Sequence, residues 1–476
     1  MSFSFGWIAN AVQGHLKGGD SQSGGSGIST DSRFIRPGQI FLALKGVRFD
    51  GHDFLKEAIR KGASGLIVQK ENSFPEIQAE VPIIEVDDTL QALGDLAAEY
   101  RRRYDIPLIA VTGSNGKTTT KEMIASILST EKRVLKNRGN FNNLIGLPLS
   151  LLNLSAEYDV GVVELGMNRR GEIGRLTEIS KPTIGIITNI GPVHLEYLKT
   201  MVAVAEAKGE LFGEMSSETI VIVNKDDPAA DKLSQKFSGR KITFGIDHPG
   251  EVTARNIRLK GKEGIDFDLM IREEVLPIYM PMIGKHNVMN ALAASAAVVA
   301  MGEKPDIIPP ALKCFANFSL RQEIVTLADN ITAINDAYNA NPISMKSALD
   351  TFAEIKGSSR GVAVLGDMLE LGAEAVARHH NLGRQISCLD IGALFLMGKY
   401  APEVKAGAIA GGFAPEAIFI GQEHQELADS LKRFLKKGDW ILVKGSRGME
   451  MEKVIENLSR KDTVYNQTDK DQGVPG

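Results

Sequence analysis

The sequence predicts an α/β protein of three domains with parallel sheets, and three observations point to this fold class. The chain has 476 residues, which corresponds to about three domains of ~150 residues each. Short runs rich in Val and Ile alternate with helical stretches, which is typical of parallel strands joined by crossover helices. In the segment LIAVTGSNGKTTT at 108–120, an apolar strand is followed by a loop bracketed by two glycines. A strand, such a loop and then a helix is the order of elements found at phosphate-binding sites.

The elements are predicted in chain order from apolar periodicity and from turn residues. The predicted strands, which are short and rich in β-branched residues, are 39–44, 65–68, 82–86, 108–111, 160–164, 183–189, 220–224, 361–365, 393–397 and 440–443. Helical patterns cover 89–103 and the small-residue segment 282–301, and GGDSQSGGSG at 18–27 predicts a flexible loop.

Composition shifts divide these elements into domains at 1–105, 106–318 and 319–460. The polar segment 461–476 predicts a disordered tail.

The overall composition favours a cytoplasmic protein without an integral membrane segment. The formal net charge of −4 argues against a nucleic acid partner bound through general basic character. The longest weakly polar run, 291–302, is too short to span a bilayer, and residues 1–20 lack a signal-peptide pattern. Cys314 and Cys388 offer neither a disulfide framework nor a metal-binding pattern, so we expect both to be buried apolar residues.

The loop after the strand 108–111 has the residue types that bind phosphate. Gly113 and Gly116 allow a tight bend that turns backbone N–H groups toward phosphate oxygens, Lys117 adds a positive charge, and the Thr118 hydroxyl can ligate Mg²⁺. The loop is shorter than the common P-loop pattern, which places its first glycine five residues before the second. Because strand, loop and helix nevertheless follow one another in the required order, nucleotide binding is the working hypothesis.

Three further candidates lie in the same predicted α/β region. Two of them lie at or after strand ends, where open α/β sheets place ligands. Glu164 ends the strand 160–164 and is a candidate to hold Mg²⁺, or is merely a strand-end charge. His194 follows the next strand as a candidate ligand or proton acceptor, although a lone histidine is more often structural. Lys208 lies in the helical pattern VAVAEAKGELF, which is apolar enough for a partly buried and chemically unusual lysine, although the sequence alone favours a surface lysine.

The segment NKDD at 224–227 matches the NKxD pattern that reads guanine in GTPases, which keeps a GTP-dependent switch open as an alternative. The strand after the phosphate loop ends in Glu-Leu-Gly at 164–166 and not in the Asp-x-x-Gly of a GTPase switch, which argues against it.

A set of motifs along almost the whole chain resembles the Mur ligase family. The motifs are TGSNGKTTTKEM at 112–123, RGNFNNLIGLP at 138–148, VVELGM at 162–167, NIGPVHLEYL at 189–198, AKGELF at 207–212, NKDDP at 224–228, GKHNVMNALAA at 284–294, Arg321 and NDAYNANP at 335–342. Within the family, STDSRFIRPGQIFLALKG at 29–46, NDAYNANPISMKSAL at 335–349 and LGDMLELG at 365–372 resemble the branch that adds D-alanyl-D-alanine.

The resemblance implies an N-terminal UDP-sugar-binding domain, a central ATP-binding P-loop domain and a C-terminal Rossmann-like domain. It implies an ATP- and Mg²⁺-dependent ligase that joins D-alanyl-D-alanine to UDP-N-acetylmuramoyl-tripeptide through an acyl phosphate, giving a peptidoglycan precursor. The protein is expected to be a monomer that alternates between open and closed states.

The resemblance also implies roles for individual residues. The residues implied to bind ATP are Gly113, Ser114, Asn115, Gly116, Lys117, Thr118, Thr119, His286, Asn287, Arg321 and Asp336. Those implied to be catalytic or to hold Mg²⁺ are Lys117, Thr118, Glu164, His194 and Lys208, the last as a carbamylated lysine, which reverses the surface interpretation. Those implied to contact the muramoyl or dipeptide substrate are Ser32, Arg33, Asn140, Asn142, Asn143, Tyr338, Asn339 and Asn341, with Asp31 supporting the turn at Ser32.

Two alternatives stay open besides the GTPase. The diamino-acid-adding ligase of the same family is the nearest one, although the Asn-Pro-Arg signature typical of it is missing from 319–460. A catalytically dead nucleotide-binding scaffold is disfavoured because the phosphate-loop, strand-end and helix residues are all present. The third residue of the tripeptide, lysine or diaminopimelate, is not predicted.

Overall fold

The computed structural model describes residues 3–46, 48–70, 81–316 and 318–459, so the tail predicted at 461–476 lies outside them. The chain divides into two compact units, Met1–Ala316 and Asn317–Gly476. In the described residues, no helix combines the length and the apolar character that a bilayer crossing requires.

The first unit is built from two main sheets and their helices. Its strands are β1 Phe3–Ser4, β2 His15–Lys17, β3 Gly24–Gly25, β4 Ile28–Ser29, β5 Ile40–Leu42, β6 Gly65–Gln69, β7 Ile83–Val86, β8 Leu108–Thr112, β9 Val134–Lys136, β10 Val160–Glu164, β11 Ile184–Ile187, β12 Ile220–Asn224, β13 Arg240–Phe244, β14 Val252–Leu259, β15 Ile265–Ile271 and β16 Glu274–Met280. Its helices are α1 Phe5–Ala11, α2 Leu55–Arg60, α3 Thr89–Arg101, α4 Lys117–Leu128, α5 Gly146–Leu151, α6 Glu172–Ser180, α7 Leu195–Leu198, α8 Met201–Glu214, α9 Pro228–Ser234, α10 His286–Ala300 and α11 Ile308–Lys313, with 3₁₀ helices Gly51–Phe54, Gly261–Glu263 and Pro305–Ile307.

A five-stranded sheet forms the N-terminal part of this unit, in the order β2-β7-β6-β5-β4. Strands β4 to β7 pair in parallel, and β2 pairs antiparallel with β7. Part of the glycine-serine stretch predicted as a loop is a strand, because β3 pairs with β1. A Cβ atom on Gly24 would lie 1.8 Å from the Phe3 carbonyl oxygen, so only glycine allows this approach.

A nine-stranded sheet carries the phosphate loop, in the order β16-β15-β14-β13-β12-β11-β8-β10-β9. The strands from β9 to β14 pair in parallel, which confirms the predicted parallel sheet with crossover helices. Strands β14, β15 and β16 form an antiparallel extension that the sequence analysis did not anticipate. Along β15 buried and half-buried residues alternate, which is the period of a strand with one covered face.

The two main sheets of the first unit share one continuous apolar core. Ile40 and Ile67 from the five-stranded sheet belong to the same cluster as Leu108 and Val163 from the nine-stranded sheet. Helix α3 contacts α5 and α6, so the predicted helix at 89–103 packs against helices of the nine-stranded sheet as well as against its own sheet. Burial of this apolar surface holds residues of both sheets in one body.

The second unit is a six-stranded sheet, in the order β17-β18-β22-β19-β20-β21. Its strands are β17 Glu323–Thr326, β18 Thr332–Asp336, β19 Gly361–Leu365, β20 Ala393–Met397, β21 Ile418–Gly421 and β22 Trp440–Lys444. Its helices are α12 Pro342–Ile355, α13 Ala375–Ile386, α14 Ala401–Ala410, α15 His424–Phe434 and α16 Glu452–Ser459, with 3₁₀ helices Ala328–Asn330, Gly372–Glu374, Pro415–Ala417 and Arg447–Met449. All neighbouring strands are parallel except β17 and β18, which confirms an α/β unit.

The prediction for the two cysteines is wrong. Cys314 and Cys388 are both exposed, because each lies in a turn just after a helix and not on its covered face.

Candidate functional site

The phosphate loop joins β8 to α4 and depends on two glycines. Gly113 has φ +147° and Gly116 has φ +79°, both in the region that favours glycine. A Cβ atom on Gly113 would lie 1.9 Å from the Thr188 hydroxyl oxygen, and one on Gly116 would lie 2.3 Å from Oδ1 of Asn290. Larger residues at either position would therefore push the loop away from the sheet and from α10.

Ser114 and Asn115 hold the loop in place. The N–H of Ser114 donates to the Asn189 carbonyl (2.9 Å), and the N–H of Asn115 donates to Oδ1 of Asn189 (2.9 Å). The Ser114 hydroxyl donates to the Gly191 carbonyl (3.1 Å). These two N–H groups are thus engaged by the protein. The N-terminal turn of α4, which begins at Lys117, is the kind of helix end that attracts anions.

Four side chains meet beside this turn. Lys117 folds back so that its Nζ donates to the Gly113 carbonyl (2.8 Å). The Thr118 hydroxyl donates to Oε2 of Glu164 (2.7 Å), and Nδ2 of Asn142 donates to Oε1 of the same carboxylate (2.8 Å). Glu164 is 3% exposed. The structure therefore brings the predicted lysine, threonine, glutamate and one of the predicted asparagines into one cluster.

Lys208 belongs to this cluster, and its interpretation as a surface lysine is wrong. It lies on α8, is 1% exposed, and its Nζ donates to the Gly113 carbonyl (3.1 Å). Burial lowers the pKa of Lys208 well below its usual range, and the nearby positive charge of Lys117 lowers it further, while Glu164 opposes the shift. Besides the family resemblance, the apolar character of the helical pattern was the signal of this burial in the sequence.

His194 lies on the segment that follows β11. Its backbone is left-handed (φ +55°) and immediately precedes the short helix α7. A non-glycine residue in this region costs about 1–2 kcal/mol, so the surrounding structure must stabilise this conformation.

Helix α10 begins at His286 and approaches the phosphate loop through its buried amides. Asn287 donates to the Ile283 carbonyl (2.8 Å), and Nδ2 of Asn290 donates to Oδ1 of Asn287 (3.0 Å). Asn290, which the sequence analysis missed, is the residue in contact with Gly116.

The remaining asparagines of the 138–148 motif have different environments. Asn143 accepts hydrogen bonds from the N–H groups of Ile145 (3.1 Å) and Gly146 (2.9 Å) and thereby fixes the start of α5. Asn140 is exposed, and its carbonyl accepts from the N–H of Asn142 (2.7 Å). Of these three asparagines, Asn142 is the one whose side chain forms a hydrogen bond with the Glu164 carboxylate.

The NKDD segment is used to build the fold. Asp227, the residue that would read guanine, accepts from the N–H groups of Ala229, Ala230 and Ile190 through its two carboxylate oxygens. Asn224 donates to the Thr188 carbonyl (2.8 Å). With both Asp227 oxygens engaged by backbone, the structure argues against the GTPase alternative.

The predicted residues of the five-stranded sheet region form a separate cluster. The Arg33 guanidinium makes two hydrogen bonds to Asp31 (2.9 and 2.7 Å), which hold the pKa of that carboxyl below its usual range. The Arg33 side chain is 76% exposed, whereas Ser32 is buried. Lys61 donates to the Ser32 carbonyl (3.0 Å) and thereby secures the turn.

In the second unit the predicted residues lie at the carboxyl end of β18. Asp336 forms a 2.6 Å ion pair with Lys444, a buried residue at the end of β22 that the sequence analysis missed. Lys444 also donates to the Asn339 carbonyl (2.9 Å). The guanidinium of Arg321 lies 3.8 Å from the centre of the Tyr338 ring.

Asn341 ends the same segment and begins α12. Its Oδ1 accepts from the N–H of Ser344 (2.9 Å), and the Ser344 hydroxyl in turn pairs with the N–H of Asn341 (3.0 Å), which completes a capping box.

The fold, together with the cluster of Lys117, Thr118, Glu164 and Lys208, defines the class of protein. It is a P-loop α/β protein with a carboxylate and a buried lysine beside its phosphate loop. Three family models match the chain: the Mur ligase family catalytic domain at 26–101, the Mur ligase middle domain at 111–298 and the Mur ligase glutamate ligase domain at 320–447. The chain belongs to the Mur ligase family.

Individual relatives cover nearly all of the chain. The UDP-N-acetylmuramoyl-tripeptide–D-alanyl-D-alanine ligase of Bacillus subtilis is 36% identical over 95% of this chain and 97% of its own. The crystal structure of MurF from Acinetobacter baumannii superposes with a TM-score of 0.89 at 32% identity, over 97% of this chain and 99% of that one. MurF from Thermotoga maritima, solved in complex with ADP, has a TM-score of 0.80 at 27% identity, over 91% and 96%.

Proposed function

We propose that this chain is an ATP-dependent ligase that joins D-alanyl-D-alanine to UDP-N-acetylmuramoyl-tripeptide. The observation that carries the proposal is near full-length similarity to a relative named for this activity, together with the cluster of Lys117, Thr118, Glu164 and Lys208 at the phosphate loop. Similarity to a relative solved with ADP supports ATP as the nucleotide. The proposed product is a peptidoglycan precursor.

The reaction needs an activated acyl group, because a carboxylate does not react with an amine directly. A carboxylate oxygen of the tripeptide takes the γ-phosphoryl group of ATP and releases ADP. The amine of D-alanyl-D-alanine then attacks the acyl carbon, phosphate leaves with the electron pair of the C–O bond, and a proton is lost from nitrogen. Negative charge is brought together in the first step, so catalysis depends on cations and positioning.

The chain offers those cations and dipoles at one place. The N-terminal turn of α4 and the ammonium group of Lys117 are proposed to neutralise the phosphates. Thr118 and Glu164 fit Mg²⁺ because they are oxygen donors 2.7 Å apart beside the loop, and His194 is proposed to serve a second ion. Bound Mg²⁺ would supply charge neutralisation for the transferring phosphoryl group.

Lys208 is proposed to carry a carbamate. Its lowered pKa favours the neutral amine, and a neutral amine can add CO₂ and lose a proton to give a carboxylate-like group. That change would replace a buried base with an anion beside Lys117.

The other predicted residues are proposed to bind ligands as the family resemblance implies. Ser32 and Arg33 would contact the uridine diphosphate, and Asn140, Asn142 and Asn143 the nucleotide or muramoyl group. His286, Asn287, Arg321 and Asp336 would contact ATP, and Tyr338, Asn339 and Asn341 the dipeptide.

The test is phosphate release by the purified protein with UDP-N-acetylmuramoyl-tripeptide, comparing D-alanyl-D-alanine with a diamino acid and ATP with GTP. We expect release that needs both the tripeptide and D-alanyl-D-alanine and that prefers ATP. Activity with the UDP-muramoyl-dipeptide plus a diamino acid would move the assignment to the neighbouring ligase, and release that needs GTP alone would restore the switch. Parallel assays with lysine- and diaminopimelate-containing tripeptides identify the third residue.

A further inference from the structure

Asn137 lies at the point where the edge strand β9 stops pairing with β10. The parallel register runs from Val134 opposite Val160 to Lys136 opposite Val162. Beyond Lys136 the side chain of Asn137 takes over: its Oδ1 accepts from the N–H of Glu164 (2.9 Å), and its Nδ2 donates to the Glu164 carbonyl (3.0 Å). One amide therefore replaces the strand partner of the residue that presents the carboxylate to Thr118.

The same amide also holds the loop that returns toward Glu164. Nδ2 of Asn137 donates to the Phe141 carbonyl (2.8 Å), and the next residue, Asn142, donates to Oε1 of Glu164 (2.8 Å). Asn137 is 1% exposed, so water cannot replace these bonds freely. Both the backbone of Glu164 and a partner of its carboxylate are thus fixed from one point.

A buried cation secures Asn137 itself. Lys121 lies one turn after Lys117 on α4, is fully buried, and donates to the Asn137 carbonyl (2.7 Å). Its charge is balanced by Glu122 at 2.9 Å. Helix α4 therefore supports Glu164 twice, directly through Thr118 and indirectly through Lys121 and Asn137.

We propose that Asn137 is a positioning residue that orients Glu164 and Asn142 for the metal and phosphates at the α4 N-terminus. The inference rests on the proposed ATP-dependent function. Only an uncharged group with one acceptor and two donor hydrogens fits this role, because aspartate would lose both donated bonds and leucine all three.

The test measures ADP affinity by calorimetry as a function of Mg²⁺ concentration, with no ligase substrate present. Loss of a residue that orients a metal ligand typically weakens metal affinity about 10–100-fold, so we expect Asn137→Leu to raise by that factor the Mg²⁺ concentration at which ADP binding is half-maximally strengthened. Asn153→Leu is the matched control, because exposed Asn153 also donates its amide to a backbone carbonyl (Leu149, 2.7 Å). The control should keep the wild-type affinities.

A double-mutant cycle shows whether Asn137 acts through Glu164. If it does, Asn137→Leu has little further effect on Mg²⁺-dependent ADP binding in a Glu164→Gln background. Equal effects in both backgrounds, or wild-type Mg²⁺ dependence in folded Asn137→Leu, would overturn the proposal. If Asn137→Leu does not fold, Asn137→Ser, which is smaller and uncharged, takes its place, and failure of both to fold would also overturn it in favour of a purely structural role. A wild-type protein that binds no ADP would instead contradict the proposed function.

Discussion

Two buried lysines, one in each unit, have opposite electrostatic surroundings. Lys444 is 2% exposed and pairs with the Asp336 carboxylate at 2.6 Å. Lys208 is 1% exposed, donates to the Gly113 carbonyl, and lies near a second cation, Lys117. The comparison shows that burial alone does not fix what a lysine does: a carboxylate partner offsets the cost of burying the charge of Lys444, whereas at Lys208 burial, and then the neighbouring cation Lys117, disfavours the charged form.

The largest effect is expected when the paired lysine is removed. Lys444→Met leaves the half-buried carboxylate of Asp336 without its partner, so we expect the free energy of unfolding of the second unit to fall by up to about 3–5 kcal/mol. The sequence has two tryptophans, Trp7 and Trp440, one in each unit. Urea unfolding followed by fluorescence in a Trp7→Phe background therefore reports the second unit alone.

The control for this prediction is an exposed pair in the same unit. Lys346 and Asp350 lie 2.5 Å apart with side chains 60% and 49% exposed. We expect Lys346→Met to change stability by less than about 1 kcal/mol, because water screens such pairs. Equal losses for Lys346→Met and Lys444→Met would contradict the assigned role of burial.

Removing Lys208 should slow catalysis without lowering stability. Lys208→Met deletes a desolvated amine and keeps an apolar side chain of similar length, so we expect stability to be unchanged or higher. Ligation should slow about 10²–10³-fold, which is the loss typical of one electrostatic group at a reacting centre. Phosphate release measures the rate, and exposed Lys232→Met on α9 is the control. Wild-type activity of Lys208→Met would exclude its proposed role.

The pH dependence of stability sharpens the comparison further. The folded pKa of Lys208 is lowered, so between that value and the unfolded pKa of about 10.4 the unfolded chain binds the extra proton. The free energy of unfolding therefore rises with pH in this range, by up to about 1.4 kcal/mol per pH unit. The destabilisation caused by burying Lys208 is fully present below its folded pKa. In carbonate-free buffer and a Trp440→Phe background, the stability difference between wild type and Lys208→Met should change with this slope. A difference that does not vary with pH would contradict a neutral Lys208.

How much the sequence could predict follows from how local each feature is. Strand β8, the glycines, Lys117 and the start of α4 are contiguous, so spacing alone predicts the phosphate loop. Glu164 was predicted because strand ends of a parallel sheet share one edge. The antiparallel strands β14 to β16 were not predicted. Strand β15 alternates clearly, but β14 and β16 each contain several exposed residues, so their strand pattern is weak.

The residues that were missed act through distant partners. Lys444 is 108 positions from Asp336 in the sequence. Asn290 lies on α10 and is likewise distant in sequence from Gly116, the residue beside which it packs. Asn290 lies inside the family motif at 284–294, but the local pattern around neither residue shows which distant residue it contacts. Lys208 shows the same limit, since its helix suggested burial but only the packed structure fixes its neighbours.

The smallest expected effect concerns Asn341, whose side chain caps α12. Asn341→Ala removes the acceptor for the Ser344 N–H and should lower the stability of the second unit by about 1 kcal/mol, whereas Asn341→Asp keeps that acceptor and should preserve stability. If the amide also donates to the dipeptide, both variants lose about 1 kcal/mol of binding, seen as a KM for D-alanyl-D-alanine raised about fivefold. A KM that rises only in Asn341→Ala would mean that Asn341 acts through the helix cap, because then the position of α12, and not the amide itself, determines dipeptide binding.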